Sequence, residues 1–103
     1  MTHLDASDAR RLLAAHPAWQ YHLEGGGSIT RTVVFAGFAQ AFAFMTQVAL
    51  MAEKRNHHPA WTNSYDRVAI TLTTHDAGGL TKKDLELAVC IDQACSLHQA
   101  QAG

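Results

Sequence analysis

Apolar side chains recur at every second position in four short stretches of this chain, and at every third or fourth position in three longer ones. Period two marks a half-buried strand and period 3.6 an amphipathic helix. Residues 6–15 predict a first helix, with Asp5 or Ser7 as its cap and Leu12 and Leu13 as its apolar contacts. His16-Pro17 ends it, because the residue before proline is biased away from the helical region. Trp19, Tyr21 and Leu23 then share one face of a strand over residues 19–23, with Gln20 and His22 on the other. A turn at Gly25-Gly26-Gly27-Ser28 leads into a second strand over residues 29–35. There Ile29, Arg31, Val33 and Phe35 alternate with Thr30, Thr32 and Val34.

Gly37 opens the longest helix, residues 38–55. Phe38, Phe42, Met45, Ala49 and Ala52 form one stripe on it, and Ala41, Phe44, Val48 and Met51 form a second beside the first. Together they cover about half the circumference, more than a surface helix usually needs. One stripe can face a sheet. The other, taken to be the one with Phe44 and Met51, asks for a second copy of the chain, with a single broad core contact as the alternative. Residues 59–64 predict a short strand, Tyr65-Asp66 a turn, and residues 67–74 a strand with Val68, Ile70 and Leu72 on one side. Ala69, Thr71 and Thr73 lie on its other side, with His75 at their parity. After a loop at Asp76-Ala77-Gly78-Gly79, a helix over residues 81–99 turns Leu87, Ala88, Ile91, Ala94 and Cys95 inward. The order is helix, two strands, helix, two strands, helix. Strand pairs joined by short turns favour an α+β fold, an antiparallel sheet with helices packed on one face.

Composition narrows the function classes. At 103 residues the chain is expected to form one domain over residues 1–103. Apolar residues make up 48 % and charged ones 17 %, as in a soluble globular protein. A net charge of −1 carries no footprint for nucleic acid or acidic lipid. Residues 33–52 are apolar enough to suggest a membrane span. However, Gly37 divides a strand-like from a helix-like segment, and Gln40, Gln47 and Lys54 recur as a polar stripe, so no membrane association is expected. The start, MTHLDASDARR, lacks the apolar core of a signal peptide. Cys90 and Cys95 sit five apart on one helix, about 7.5 Å along it and about 140° around it, too divergent for a disulfide. A cytoplasmic location is expected.

Between Glu53 and Asp84 the chain concentrates titratable groups: Glu53, His57, His58, His75 and Asp84. Histidine is the side chain whose ordinary pKa lies nearest neutrality, so the cluster suggests proton chemistry or a metal. Adjacent His57 and His58 are a poor chelate for one ion, and no zinc-type spacing is present. In an extended backbone the two rings would point to opposite faces, so a shared site requires a turn or a wrapped cleft. Pro59 holds His58 extended. Glu53 stands one helical turn before His57, able to orient a histidine or to remain solvated. Asp84, third after Thr81 in Thr81-Lys82-Lys83-Asp84, reads as the return arm of a capping box.

The spacing Glu53-x3-His57-His58-Pro59-x5-Tyr65-x9-His75-x8-Asp84 resembles the signature of the pterin-4a-carbinolamine dehydratases: seven positions across 32 residues with fixed gaps. The segments at residues 23–25, 41–54 and 70–84 are also similar to that family. The resemblance implies a four-stranded antiparallel sheet with three helices on one face, assembled into homodimers by sheet edges or into homotetramers through helices. It implies dehydration of 4a-hydroxytetrahydropterin, the product of aromatic amino acid hydroxylases, to the quinonoid dihydropterin. No metal and no organic cofactor are implied. His57 and His75 would donate protons to the leaving hydroxyl, one on each face of the pterin, and His58 would bind substrate and assist as base. Glu53 and Asp84 would support the site by hydrogen bonds or charge, while Asn56, Thr73, Thr74 and Asp76 would line the pocket. The family often has aspartate at position 56 and arginine at position 83, where this chain has Asn56 and Lys83. Some relatives serve instead as transcription-factor dimerisation cofactors or as assembly factors without the activity. Retention of all three histidines and of Asp84 favours the enzyme.

Overall fold

A computed structural model describes residues 3–101. Helix α1 (Ala6–Leu13), strands β1 (Gln20–His22) and β2 (Ser28–Val34), helix α2 (Phe38–Arg55), strands β3 (Ala60–Ser64) and β4 (Arg67–Leu72) and helix α3 (Lys82–Leu97) follow in the expected order. The four strands form one antiparallel sheet in the order β1-β2-β4-β3. Both hairpins therefore lie at the edges, and the central pair, β2 and β4, comes from different hairpins, with Ile29 opposite Leu72 and Val33 opposite Val68.

One sheet face supplies the core. Ile29 and Val33 of β2 and Val68, Ile70 and Leu72 of β4 pack with Ala9 and Leu13 of α1, Ala41, Phe44 and Val48 of α2, and Leu87, Ala88, Ile91, Ala94 and Cys95 of α3. All three helices thus cover the same side. The ring of Phe44 lies 4.9 Å from that of Phe35, centroid to centroid. Arg31 has the same inward parity and is satisfied there by an ion pair with Asp92 of α3, which also accepts a hydrogen bond from Trp19 Nε1 at 2.8 Å. Cys90 and Cys95 are both free, and burial pushes the Cys95 thiol up to about 11, which keeps it protonated and unreactive.

Four expectations shift. Leu23 leaves β1 for a single 3₁₀ turn, Glu24–Gly26, and is exposed rather than packed beside Trp19 and Tyr21. The last strand stops at Leu72, because Thr74 pairs its backbone with Gly79 across a loop instead of with a neighbouring strand. The last helix stops at Leu97, since Gln99 takes a left-handed φ of 57°. The fourth correction concerns α2. Phe44 is fully buried in the core of one chain and Met51 is half-buried, whereas Phe38 is 49 % exposed, Phe42 56 % and Leu50 70 %. The stripe left exposed is therefore the one with Phe38 and Phe42. A glutamate at position 44 would bury an unpaired charge, costing several kcal/mol of a fold stabilised by about 5–15 kcal/mol, and would unfold the chain rather than dissociate it.

Candidate active site

The end of α2 settles how two adjacent histidines serve one cleft. Asn56 adopts a left-handed conformation (φ 50°, ψ 42°), a region that asparagine enters more readily than other residues with a Cβ. Its N–H donates to Glu53 O and the His57 N–H to Ala52 O, each at 3.1 Å, so the chain reverses in a Schellman turn. His57 and His58 then line the same cavity of about 240 Å³ while taking different partners. His57 Nε2 meets Asp84 Oδ1 at 2.5 Å in the interior, and His58 Nε2 meets Glu53 Oε1 at 2.8 Å in the open.

The opposite wall comes from the segment after β4. Thr74 and Gly79 exchange backbone hydrogen bonds at 3.1 Å each, closing a loop in which His75–Ala77 form one 3₁₀ turn. This loop rests on the three-glycine turn. Gly26 O accepts from Leu80 N at 3.2 Å and Gly27 O from the Thr73 hydroxyl at 2.9 Å. A Cβ on Gly26 would stand 1.8 Å from Gly78 O, and one on Gly79 2.1 Å from Gly26 O. Only glycine permits this backbone-to-backbone seat, which holds the His75 loop at the cleft.

Beneath the cleft lies Asp84, with no exposed surface. Its Oδ2 accepts from the Thr81 N–H at 2.9 Å and from the Thr74 hydroxyl at 2.8 Å, while Thr81 Oγ1 accepts from the Lys83 N–H at 3.3 Å. The capping box and the histidine partner are therefore one residue: Oδ2 caps the helix and Oδ1 holds His57. No buried side-chain nitrogen or oxygen among the described residues lacks a hydrogen-bond partner.

Asn56, His57, His58, Thr73, Thr74, His75 and Asp76 all line the cavity. Glu53 does not; it stands behind His58, exposed, where it lines an adjoining groove of about 480 Å³ with His58 itself, Leu50, Pro59 and Trp61. Tyr65 is brought nowhere near. It is exposed in the β3–β4 turn with a φ of 53°, its hydroxyl facing Gly37 at the start of α2, about 27 Å of helix away from Asn56. Thr81 does not line the cavity but joins the buried network behind it, a place the spacing did not single out. The signal was present, since Thr74 has the buried parity of Val68, Ile70 and Leu72, and a capping-box aspartate beside it points to a shared interior network. Among the described residues no three His, Cys, Asp or Glu side chains gather closely enough to hold a metal ion. No helix there is long and apolar enough to cross a membrane.

Sheet, helices and cleft together define an α+β protein that brings three histidines to one cavity, one of them held by a buried carboxylate. Residues 2–94 match the model of the family described as pterin 4 alpha carbinolamine dehydratase. A Burkholderia lata protein provisionally named pterin-4-alpha-carbinolamine dehydratase is 50 % identical over 103 residues, covering 99 % of this chain and all of that one. A Rhizobium johnstonii protein with the same provisional name is 47 % identical, covering 93 % and 94 %. The crystal structure of a transcriptional coactivator/pterin dehydratase from Brucella melitensis superposes with a TM-score of 0.85 at 40 % identity, over 90 % of this chain and 98 % of that one. A pterin dehydratase-like protein identified as a RuBisCO assembly factor in the alpha-carboxysome shares the fold, with a TM-score of 0.65 at 20 % identity over 75 % and 88 %. The chain belongs to the pterin-4-alpha-carbinolamine dehydratase family.

Proposed function

We propose that this single domain dehydrates 4a-hydroxytetrahydropterin to the quinonoid dihydropterin and water by histidine acid–base catalysis. The observation that carries the reading is the convergence of His57, His58 and His75 on one cleft of about 240 Å³ with Asp84 behind His57. The reaction breaks the C4a–O bond while the N5 lone pair forms a C=N bond. One group must give the departing hydroxyl a proton as another takes the proton from N5. His57 and His75, on opposite walls, act as the acids. His58, steadied by Glu53, contacts the pterin and serves as base. Asn56, Thr73 and Asp76 offer polar atoms to the ring edge. Such an enzyme, in the cytoplasm, would process the product of an aromatic amino acid hydroxylase. The expected result is that the purified protein accelerates dehydration of synthetic 4a-hydroxytetrahydropterin over buffer and keeps its rate in the presence of a chelator. Turnover no faster than buffer removes the reading, and a chelator-sensitive rate restored by zinc replaces it with a metal site.

The alternative, an interaction protein, draws on the exposed face of α2 and on the double description of the Brucella melitensis relative. The two roles are compatible, because Phe38 and Phe42, with ring centroids 5.7 Å apart, lie on the flank of α2 outside the cleft. That flank suits a second copy of the chain, giving a homodimer or homotetramer. Phe38→Glu with Phe42→Glu is expected to lower the mass in sedimentation while circular dichroism stays unchanged. An unaltered mass would refute this interface.

A further inference from the structure

A buried hydroxyl chain runs beneath the cleft, and its protons can be placed. The Thr81 N–H can only donate, and it donates to Asp84 Oδ2 at 2.9 Å. The Thr74 hydroxyl spends its one proton on the same oxygen, at 2.8 Å. Its 2.8 Å contact with Thr81 Oγ1 must then be one in which Thr81 donates and Thr74 accepts. Thr81 Oγ1 accepts in turn from the Lys83 N–H at 3.3 Å. Thr74 is 8 % exposed, Thr81 2 % and Asp84 0 %, so water does not compete for these positions. With two donors already on Oδ2, Oδ1 is the oxygen left to accept from the ring, which places the proton of the Asp84 Oδ1 to His57 Nε2 contact on the ring. Neutral His57 is then the Nε2–H tautomer, and Nδ1 is the nitrogen it has for a ligand.

We propose that Thr74 and Thr81 are positioning residues: their relay through Asp84 sets the tautomer of His57 and routes its proton exchange through Nδ1. Thr74 lines the cavity, yet its hydroxyl proton serves Asp84 rather than the pterin. The catalytic consequence rests on the dehydratase reading; the tautomer does not.

Long-range ¹H–¹⁵N correlation spectra of the labelled full chain, at a pH where the rings are neutral, read the tautomer directly. The wild type is expected to show His57 protonated on Nε2. Thr74→Val keeps the β-branched shape but removes the donor. It is expected to give a mixture of tautomers and to lower kcat about tenfold, as for loss of a hydrogen bond to a charged group, with KM little changed. Thr74→Ser is expected to restore both. Overturning results are an Nδ1–H ring in the wild type, or a Thr74→Val protein with unchanged tautomer and kcat. If Thr74→Val does not fold, the wild-type tautomer decides the matter: protonation on Nε2 supports the relay and protonation on Nδ1 overturns it. Absence of turnover in the wild type would remove the dehydratase reading, while the ring spectra of that same sample would still decide the relay.

Discussion

Alanine at His75 or at His57 is expected to slow turnover of 4a-hydroxytetrahydropterin by about 10²- to 10⁴-fold, the usual contribution of a positioned acid or base. The two substitutions differ in what else they disturb. His75 is exposed on its 3₁₀ turn, so removing its ring leaves the core intact and the melting temperature nearly unchanged. His57 is the partner of Asp84 Oδ1, and its loss leaves a buried carboxylate oxygen one donor short, adding about 1–3 kcal/mol of destabilisation. Steady-state rates beside thermal unfolding separate these effects. A folded His75→Ala protein working at the wild-type rate would deny His75 any part in the chemistry. Comparable slowing in both, with a lowered melting temperature only for His57→Ala, is the pattern expected of two acids on opposite walls.

Sequence patterning reached furthest where one local rule decided the outcome. Alternation in β2 and β4 placed Ile29, Val33, Val68, Ile70 and Leu72 inside, as observed, because a strand with one covered face has only two parities. The bounds of α2, residues 38–55, were legible from Gly37 and from the change at Asn56-His57. Which of its two apolar stripes meets the sheet was not legible, since periodicity gives their angular separation but not the rotation of the helix in its seat. The cavity-lining residues were all indicated by the family resemblance, whereas Glu53 lies outside the cavity and meets it only through its contact with His58. Tyr65 shares the spacing but not the site, because the length of α2 lies between them. The seat of the His75 loop on Gly26 and Gly79 joins residues about fifty positions apart, a contact that no local pattern encodes. Nor does the meeting of Thr74 and Thr81 follow from spacing; it requires the loop closed by Gly79.

Asp84 is where stability and the proposed chemistry meet, and two substitutions separate them. Asp84→Ala strips the acceptor from the Thr81 N–H, the Thr74 hydroxyl and His57 Nε2 together, within a fully buried network. Breaking such a network typically costs about 3–5 kcal/mol, and for a domain of this length that corresponds to about 15–30 °C in Tm. Asp84→Asn preserves the shape and one oxygen. The Thr81 backbone N–H is a fixed donor, so the amide oxygen must face it and the amide NH₂ must face His57. The ring is then compelled to accept at Nε2 and to carry its proton on Nδ1. The expected result is a protein that melts far closer to wild type than Asp84→Ala yet turns over about 10²- to 10⁴-fold more slowly, as when the same exchange reverses the histidine tautomer in a serine-protease triad. Calorimetry and turnover on both variants test this. An Asp84→Asn enzyme with wild-type kcat would confine Asp84 to capping α3 and show that turnover does not depend on the tautomer of His57.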